Sequence, residues 1–494
     1  MYKQYWGFYL VIILLVTNFF ACKNDLENYS TNPQDLLSFS ADTLSFDTVL
    51  TTVNSPVLSF QIYNRNSKPL LISSIQLAEG ANSAFKINVD GIAGSVFQDV
   101  EILANDSLYV FINVKPKENG QFTPTLFNDY VVFETNGVQQ KVVLQAYGQD
   151  VYTLRGATIS VDSVLDNKKP YLIYDSLVIG KGATVEIGAG SVFYMYNNAQ
   201  LIVNGTIKVS GTVENPVVFR GSRTDYMITI PYDLIPGQWG GIRFAPDSYD
   251  NEMENVRIRN GKFGMNLGIS ADPARSKLSL KNTVLTNASG TLFQSVNCSF
   301  TAENCEFSNS NGALLSIVGG SCHFTHCTIA NFYPSNPELG WANSDHATLF
   351  LTDNILGDND SICNYPVNSA EFYNSIIWGN SPASTIQITQ SPQGKDIPYL
   401  FQNCLLSNEK TNNPKVVDCI FKVDPLFQKT DPNDIEKNTW YPSFDFRLKK
   451  NSPAKDVAKL EIATQLPYDL NGYPRLADGK PDLGAYEYHE EKSP

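Results

Sequence analysis

The chain is short of positive charge. Its 494 residues include 36 Lys and Arg against 50 Asp and Glu, which gives a formal net charge of −14. Proteins that bind nucleic acids need basic surface to displace counterions from the phosphates, so this composition argues against a nucleic-acid partner. The same acidic balance disfavours docking on anionic lipid headgroups.

Metal-ligand and membrane signals are also scarce. The chain has four histidines and eight cysteines, no Cys-x-x-Cys pair, and no cysteine–histidine spacing that suits a zinc site. Beyond the N-terminal segment, no apolar run is long enough to cross a bilayer. Runs typical of helices are few, whereas Tyr, Phe and Asn-rich turns are plentiful, which favours an all-β protein.

What the chain has instead is a short repeat, found seven times between residues 255 and 408. An Asn or a close substitute is followed by a small or apolar residue, a variable one, and a branched or aromatic apolar one. The leading residues are Asn255, Asn282, Asn304, His326, Asp353, Asn374 and Asn403, which lie 27, 22, 22, 27, 21 and 29 residues apart. A period near 22, stretched by insertions, indicates a solenoid.

The pattern around each leading residue identifies the kind of solenoid. Upstream, apolar residues alternate with polar ones, as at Leu278 and Leu280, which places them on one face of a strand. After the Asn the parity shifts by one, which indicates a corner, where Asn tolerates left-handed backbone. Strands meeting at a corner in every repeat predict the coils of a parallel β-helix, with the corner Asn side chains stacked about 4.8 Å apart. We interpret these Asn residues as turn formers rather than as a binding site.

Three cysteines share one coil position. Cys305, Cys327 and Cys404 each follow a leading residue directly, where a small thiol suits the interior of a β-helix. A disulfide between stacked neighbours is the alternative interpretation.

Residues 1–22 have the features of a signal peptide. Lys3 precedes an apolar run from Phe8 to Val16, and the segment ends in Phe20-Ala21-Cys22, which resembles a bacterial lipobox. The resemblance implies cleavage before Cys22 and lipidation of that cysteine, with an ordinary secretory signal as the alternative. The charged stretch 23–27 resembles the surface-export signal of Bacteroidetes lipoproteins. It implies a lipid anchor in the outer membrane, with the protein facing the cell exterior; a periplasmic location is the alternative.

A tether and a β-sandwich are predicted to follow. Residues 23–37 have the composition of a flexible tether. About seven strands separated by turn clusters predict an immunoglobulin-like β-sandwich over 38–150. The sequence Phe60-Gln61-Ile62-Tyr63-Asn64 resembles bacterial sandwich domains of the abnormal-spindle and hydin type. This resemblance implies a role as a spacer or in protein contacts.

The remainder resembles a known family. It is similar to bacterial surface β-helix proteins described as pectate-lyase-like. Three stretches carry the similarity: 177–190, where apolar residues alternate and Gly residues intervene, Asn451-Ser452-Pro453-Ala454, and Asp482 to Glu487. The resemblance implies a right-handed parallel β-helix over 155–420 and a closing or capping segment over 421–494. It also implies that Asp482 and Glu487 are hydrogen-bonding residues of that segment. Members of this fold often handle acidic polysaccharides.

Candidate ligand-binding residues fall into two groups. Arg243, Arg257 and Arg259 lie on nearby predicted coils, where a cationic strip can hold uronate or sulfate groups; a solvated, charge-balanced face is the alternative. The second group is Tyr333, Trp341, Asp345 and His346. They lie in or beside an insertion that can arch over a lateral face, where its aromatic residues can stack on sugar rings; an ordinary packed loop is the alternative.

No catalytic constellation stands out. The Asn-Thr-Asp, Asp-Asp and Gly-His-Gly pattern of β-helix hydrolases is absent, and paired carboxylates or a lyase base with calcium are not evident. Asp358 and Asp360 are weak calcium candidates; no other cofactor is expected. We therefore expect a non-catalytic glycan-binding or scaffold module whose partner is a polysaccharide or an outer-membrane protein. A polysaccharide lyase or glycoside hydrolase, and an accessory subunit of an outer-membrane assembly, are the alternatives.

Overall fold

The computed structural model describes residues 29–227, 230–333, 346–357, 361–380, 385–391, 396–430 and 444–490. The chain divides into two compact units, one ending at Asp150 and the other beginning at Val151. The helices within these ranges are one short α-helix, Leu460–Ala463, and two 3-10 turns, Gly80–Asn82 and Tyr232–Leu234. No helix among the described residues has the length and apolar character needed to span a membrane. Residues 1–28, which include Cys22, lie outside the described ranges.

The first unit consists of two five-stranded sheets. In spatial order, one sheet contains Ser38–Phe39, Leu58–Tyr63, Ser107–Val114, Phe85–Val89 and Ile92–Gly94. The other contains Thr43–Leu50, Val138–Gln149, Thr125–Thr135, Leu70–Leu77 and Val96–Ile102. Neighbours are antiparallel, except that Thr43–Leu50 runs parallel to Val138–Gln149.

A shared apolar core joins these two sheets. The buried rings of Phe60, from the first sheet, and Phe133, from the second, meet edge to face with centroids 6.2 Å apart. The unit is therefore a β-sandwich, and its resemblance to a particular sandwich family stays a prediction. Part of the predicted tether belongs to it, because the Ser30 amide donates to the Pro69 carbonyl at 2.9 Å and Leu37 is buried in the core.

The second unit is dominated by one parallel sheet of 26 strands. Its strands are Tyr152–Ile159, Ser163–Leu165, Tyr171–Ile179, Thr184–Gly188, Val192–Met195, Gln200–Val203, Thr206–Ser210, Val217–Gly221, Gly241–Phe244, Asn251–Glu254, Val256–Arg259, Met265–Ile269, Ser276–Lys281, Val284–Ala288, Phe293–Glu303, Glu306–Ser310, Leu315–Thr325, Thr328–Asn331, Leu349–Thr352, Val367–Tyr373, Ile376–Gly379, Ile386–Thr389, Tyr399–Gln402, Leu405–Leu406, Val416–Val417 and Ile420–Phe421. Three short antiparallel pairs lie outside it: Tyr226–Met227 with Ile230–Pro231, Asn354–Leu356 with Ile362–Asn364, and Phe427–Lys429 with Asp445–Leu448.

This sheet winds into a coil with three faces. Strands Gly241–Phe244, Asn251–Glu254 and Val256–Arg259 belong to what we name the first, second and third faces. Each strand pairs in parallel with the strand one coil earlier and the strand one coil later on the same face. The predicted parallel β-helix is confirmed, and a third strand per coil, which the repeat did not reveal, completes it.

The corners and the interior follow the predicted pattern. The corner residues Asn255, Asn260, Asn282, Asn287, Asn304, Asn309, His326, Asn374 and Asn403 all have left-handed backbone, with φ between 45° and 68°. Their side chains stack from coil to coil, as where Asn304 Nδ2 donates to Asn282 Oδ1 at 3.1 Å. Inside, aromatic rings stack directly, with the Phe324, Phe372 and Phe401 centroids 4.8 Å apart at each step.

One predicted repeat is wrong. The stretch that follows Asp353 leaves the coil, because Asn354–Leu356 turns back and pairs antiparallel with Ile362–Asn364. In the corner ladder, Asn374 follows His326 directly, with its Nδ2 3.0 Å from the His326 Nε2, 48 residues away in sequence. An insertion of this kind can match the repeat in sequence, while the coils before and after it still stack directly on each other.

The closing segment covers a flank of the β-helix. Its described part, 444–490, contributes buried apolar residues that share one cluster with outward residues of the third face: Phe446, Leu448, Leu470, Leu483 and Ala485 pack with Ala330, Ile376 and Leu405. The Ala485 amide also donates to Thr328 Oγ1 at 2.9 Å. These contacts are with the side of the coil, so the capping of its open end stays a prediction.

Candidate functional site

The three predicted arginines do not form one strip. Arg243 lies on the first face, exposed, with its guanidinium carbon 6.0 Å from the centroid of the Phe263 ring. Arg257 and Arg259 both point outward from the third face, and Arg257 Nη1 donates to the Asn282 carbonyl at 3.2 Å. The corner between faces separates Arg243 from the other two, which the period-two spacing along one strand cannot reveal.

Arg259 is already paired with a carboxylate. Its guanidinium donates two hydrogen bonds to Asp233, at 2.8 and 3.0 Å, and Arg220, one coil earlier, lies 3.0 Å from the same carboxylate. Asp233 belongs to the 3-10 turn Tyr232–Leu234, in the insertion between two coils. Asn260 Nδ2 holds that turn in place by donating to the Asp233 carbonyl at 2.7 Å. The positive charge of Arg259 is thus paired with Asp233 within the fold, and its guanidinium is not available to an anionic ligand.

The second predicted group is only partly described. Trp341, Asp345, Asp358 and Asp360 lie outside the described residues. Tyr333 is 2% exposed, and burial raises the pKa of its phenol to about 12, so its ring is not available for stacking on a sugar. His346 is exposed. Within the described ranges, no cluster of three His, Cys, Asp or Glu residues has metal-binding geometry.

An open pocket lies on the third face, near the start of the β-helix. Its cavity of about 360 Å³ is lined by Tyr196, Asn197, Ser222, Arg223, Tyr232 and residues 235–238. The Arg223 guanidinium stacks 3.5 Å from the centroid of the Tyr232 ring, and its Nε donates to Asp225 Oδ1 at 2.9 Å. Tyr196 is 42% exposed. The pocket therefore combines aromatic rings with polar groups that already have fixed positions.

The aromatic surface continues beyond this pocket. The Tyr196 ring packs against Tyr174, one coil earlier, with centroids 4.6 Å apart. The exposed Arg155, on the preceding strand, stacks 3.6 Å from the Tyr174 centroid. We name these five residues the tyrosine–arginine surface: Arg155, Tyr174, Tyr196, Arg223 and Tyr232. Successive coils place three of them in a line about 4.8 Å apart.

A second, smaller pocket lies on the other side of the insertion. Its cavity of about 180 Å³ is lined by Asp233, Arg259, Glu306 and Ser308, among others, and by Phe444 and Phe446 of the closing segment. Burial raises the pKa of Glu306, although the hydroxyls of Ser308 and Tyr486 lower it in part. The Ser308 hydroxyl lies 2.6 Å from Glu306 Oε1, and the Tyr486 hydroxyl donates to Oε2.

The acidic residues of the closing segment have structural partners. Arg475, fully buried, donates to Glu487 Oε1 at 2.5 Å and to Asn304 Oδ1, at a coil corner, at 2.8 Å. Asp482 accepts hydrogen bonds from the amides of Asp456 and Tyr488, both at 2.7 Å. Asp482 and Glu487 are thus hydrogen-bonding residues within the closing segment, and Arg475 connects Glu487 to the corner residue Asn304.

The sequence reasoning missed a polar cluster on the second face. His323 Nδ1 lies 3.2 Å from Glu371 Oε2, and His323 Nε2 lies 3.0 Å from Thr325 Oγ1. Tyr373 and Ser369 also donate to the Glu371 carboxylate. Burial pushes the pKa of Glu371 upward, but these hydrogen bonds outweigh it and leave the pKa below its usual value. Each group already has a partner, so we assign this cluster a structural role.

A signal for the missed residues exists in the spacing. Tyr174 and Tyr196 are 22 residues apart, which is the period of the repeat, and His323 and Glu371 are separated by the same 48 residues as the corners His326 and Asn374. Residues at equal distances from equivalent corners stack on neighbouring strands. The first pair was detectable, whereas the second required knowing that one coil is 48 residues long.

No protein-family model matches the chain, and no curated protein matches it. Among solved structures, a family 123 glycoside hydrolase from Clostridium perfringens is 12% identical over 23% of this chain and 25% of its own length, with a TM-score of 0.16. The ASH/PapD-like domain of human CEP192 is 11% identical over 26% of this chain and 95% of that domain, with a TM-score of 0.17. The catalytic domain of a GH87 α-1,3-glucanase in complex with tetrasaccharides is 9% identical over 73% and 87%, with a TM-score of 0.18. At such scores, the function has to be argued from the chain's own residues.

Proposed function

We propose that this protein is a glycan-binding module that holds an extended saccharide against the third face of its β-helix. The pocket between Tyr196 and Tyr232 carries the proposal, because it is open, aromatic and supplied with fixed polar groups. Small-molecule sites typically combine apolar walls with a few convergent polar groups. Tyrosine rings suit sugars in particular, because they present a flat apolar face and a hydroxyl together.

The line of residues from Arg155 to Tyr196 supports an extended ligand. These residues lie on successive strands of the same face, so a chain-like ligand that runs along the coil axis meets one of them at each step of about 4.8 Å. Rings that are held by stacking on a neighbouring ring or guanidinium lose little side-chain freedom on binding, which favours affinity.

We further propose that the protein works as a lipid-anchored protein at the outer surface of the cell. The motif ending in Cys22 supports the anchor, and the acidic stretch that follows supports export to the surface. Replacing Cys22 by Ala should move the chain from the membrane fraction to the soluble fraction. Retention of the variant in the membrane fraction would refute the anchor.

Binding can be tested on the soluble fragment that begins at Lys23, with a panel of acidic and neutral polysaccharides. Tyr196→Ala and Tyr232→Ala should each weaken binding about tenfold, which corresponds to ~1.4 kcal/mol of lost ring contact. Tyr63→Ala is the matched control, since Tyr63 also carries a stacked arginine, Arg65, at 4.8 Å, but in the first unit. Equal losses in all three variants, or no binding to any polymer, would contradict the proposal.

One observation favours glycoside hydrolysis as a second function. The smaller pocket contains two carboxyl groups in different surroundings: Glu306, whose pKa is raised by burial, and Asp233, which is paired with two arginines. Glycosidases use two carboxyl groups in different surroundings, of which one has a raised pKa and serves as the general acid. New reducing ends in the same panel would establish this activity, and Glu306→Gln should abolish them while Glu371→Gln, on the second face, should not.

A further inference from the structure

Two pairs of cysteines occupy equivalent positions on neighbouring coils. Glu306 lies beside Thr328 in the parallel ladder, which places Cys305 beside Cys327. Leu405 lies beside Ile420, which places Cys404 beside Cys419 in the same way. In each pair, the backbone amide after the second cysteine donates to the carbonyl of the first, at 2.9 and 2.8 Å respectively. All four are thiols in this structure.

The geometry of both pairs is compatible with a disulfide. Strands that are neighbours in a sheet lie about 4.8 Å apart, within the roughly 4.4–6.8 Å separation of Cα atoms that disulfides tolerate. Distance therefore does not distinguish the two pairs.

Accessibility does distinguish them. Cys305 and Cys327 are fully buried in the interior, and burial raises the pKa of the Cys305 thiol well above its usual value. Cys419 belongs to the last coil that the described residues form and is only partly buried. A hydrogen bond from Cys404 lowers the pKa of the Cys419 thiol. Because the thiolate is the species that reacts, Cys419 is the favoured nucleophile of the four.

We propose that Cys404 and Cys419 form a disulfide that fastens the last coil to the coil before it, while Cys305 and Cys327 stay reduced. The coil with Cys419 gains more from such a bond than an interior coil does, because it pairs through two-residue strands, Val416–Val417 and Ile420–Phe421, and no further coil follows it among the described residues. The disulfide would close the loop between Cys404 and Cys419, and this cross-link restricts the conformations of the unfolded chain. This inference is independent of glycan binding.

A small-molecule disulfide, such as oxidised glutathione, supplies the oxidising equivalents. The Cys419 thiolate attacks one glutathione sulfur, and the other glutathione leaves as a thiolate that takes up the proton given up by Cys419. Cys404 then attacks the Cys419 sulfur of the mixed disulfide, and the second glutathione leaves and takes up the Cys404 proton. Two protein thiols are oxidised, and one glutathione disulfide is reduced to two thiols.

The test uses the full chain in mild detergent, incubated with oxidised glutathione, alkylated, digested and mapped by mass spectrometry. We expect a linked Cys404–Cys419 peptide in most molecules, and alkylated Cys305 and Cys327 once the protein is unfolded. Cys404→Ser should leave Cys419 as the glutathione adduct, which identifies Cys419 as the nucleophile. Cys305→Ser is the matched control and should leave the linked peptide unchanged.

Two results would overturn the proposal. One is a wild-type chain in which Cys404 and Cys419 are still alkylated, or carry only glutathione, after the incubation. The other is a Cys305–Cys327 link that forms to the same extent as the Cys404–Cys419 link. Circular dichroism of each variant under reducing conditions verifies that the fold is retained, so that a missing link cannot be assigned to misfolding.

Discussion

Arg475 provides the sharpest test of how the closing segment is held. Its side chain is fully buried and donates to Glu487 Oε1, Asn304 Oδ1 and the Gly484 carbonyl. One guanidinium thus connects two parts of the segment to a corner of the β-helix. Arg475→Met keeps most of the volume and removes the charge and all three hydrogen bonds.

The expected loss of stability in Arg475→Met follows from the burial of Glu487, the partner of Arg475. Removing one member of a buried ion pair typically costs 3–5 kcal/mol, because the other charge is left without compensation. Glu487 is 5% exposed, and burial raises its pKa to about 8. The orphaned carboxyl can therefore bind a proton at neutral pH, which limits the penalty. We expect the lower end of the range, about 3 kcal/mol.

Local opening is the quantity to measure, because a chain with two units need not unfold in one step. Hydrogen exchange reports the free energy of opening for individual segments. The Leu470 amide, which donates to the Ala485 carbonyl at 2.9 Å, lies within the closing segment and serves as the reporter. We expect its exchange in Arg475→Met to accelerate by about two orders of magnitude, as ~3 kcal/mol implies.

A matched control is available in the same segment. Arg447 is paired with Asp445 at 2.7 Å, but its side chain is 37% exposed, and exposed pairs contribute little. Arg447→Met should therefore leave the exchange of the Leu470 amide nearly unchanged. Adding Glu487→Gln to Arg475→Met should restore part of the protection, because it removes the uncompensated acid. Less than a threefold acceleration in Arg475→Met would refute the reasoning.

Three further predictions concern stability. Because burial raises the pKa of Glu306 in the folded protein, its contribution to stability is fully present below the unfolded pKa, about 4.3, and is lost as pH rises through the folded value. Glu306→Gln, which can still accept from Tyr486, should therefore match wild type in chemical denaturation at pH 4 and exceed it at pH 8; a constant difference would contradict this. Phe372→Ala should lower the free energy of unfolding by about 3–5 kcal/mol, since the ring stacks at 4.8 Å on both neighbours inside the coil. A loss under about 1 kcal/mol in the same measurement would contradict this, because it would mean that the surrounding side chains fill the space left by the ring. Asn282 has φ of 48°, so Asn282→Gly should be nearly neutral in a thermal melt whereas Asn282→Val should destabilise by about 1–3 kcal/mol; equal effects would argue against backbone strain at the corner.

The repeating part of the fold was predictable because its rules are local. Alternation at period two identified inward residues such as Leu280 and Phe307, both fully buried, and the parity shift identified the corners. The same rules missed Asp418, a corner with φ of 51° that lies 15 residues after Asn403. They also misplaced a corner at Asp353, where a hairpin carries the same residue pattern.

The candidate site was less predictable, because it depends on which coils and insertions meet. The sequence indicated that Arg257 and Arg259 share an outward face, which the structure bears out, but not that Asp233 pairs with Arg259 from an insertion 26 residues upstream. Tyr174 and Tyr196 stand one period apart and were detectable. Tyr232 joins them only because its 3-10 turn folds back over the same face.

The sequence by itself determined the architecture of the second unit. Whether a side chain points inward or outward, and whether a residue tolerates left-handed backbone, are properties of single residues and their neighbours, so the coils and corners can be read in order. Only the tertiary structure decided that one coil spans 48 residues and that the closing segment lies along the third face. It also decided that an insertion separates the two pockets. Insertions leave a β-helix and rejoin it without changing the stacking of its strands. Their lengths, and the surfaces on which they pack, therefore cannot be read from the periodicity of the sequence.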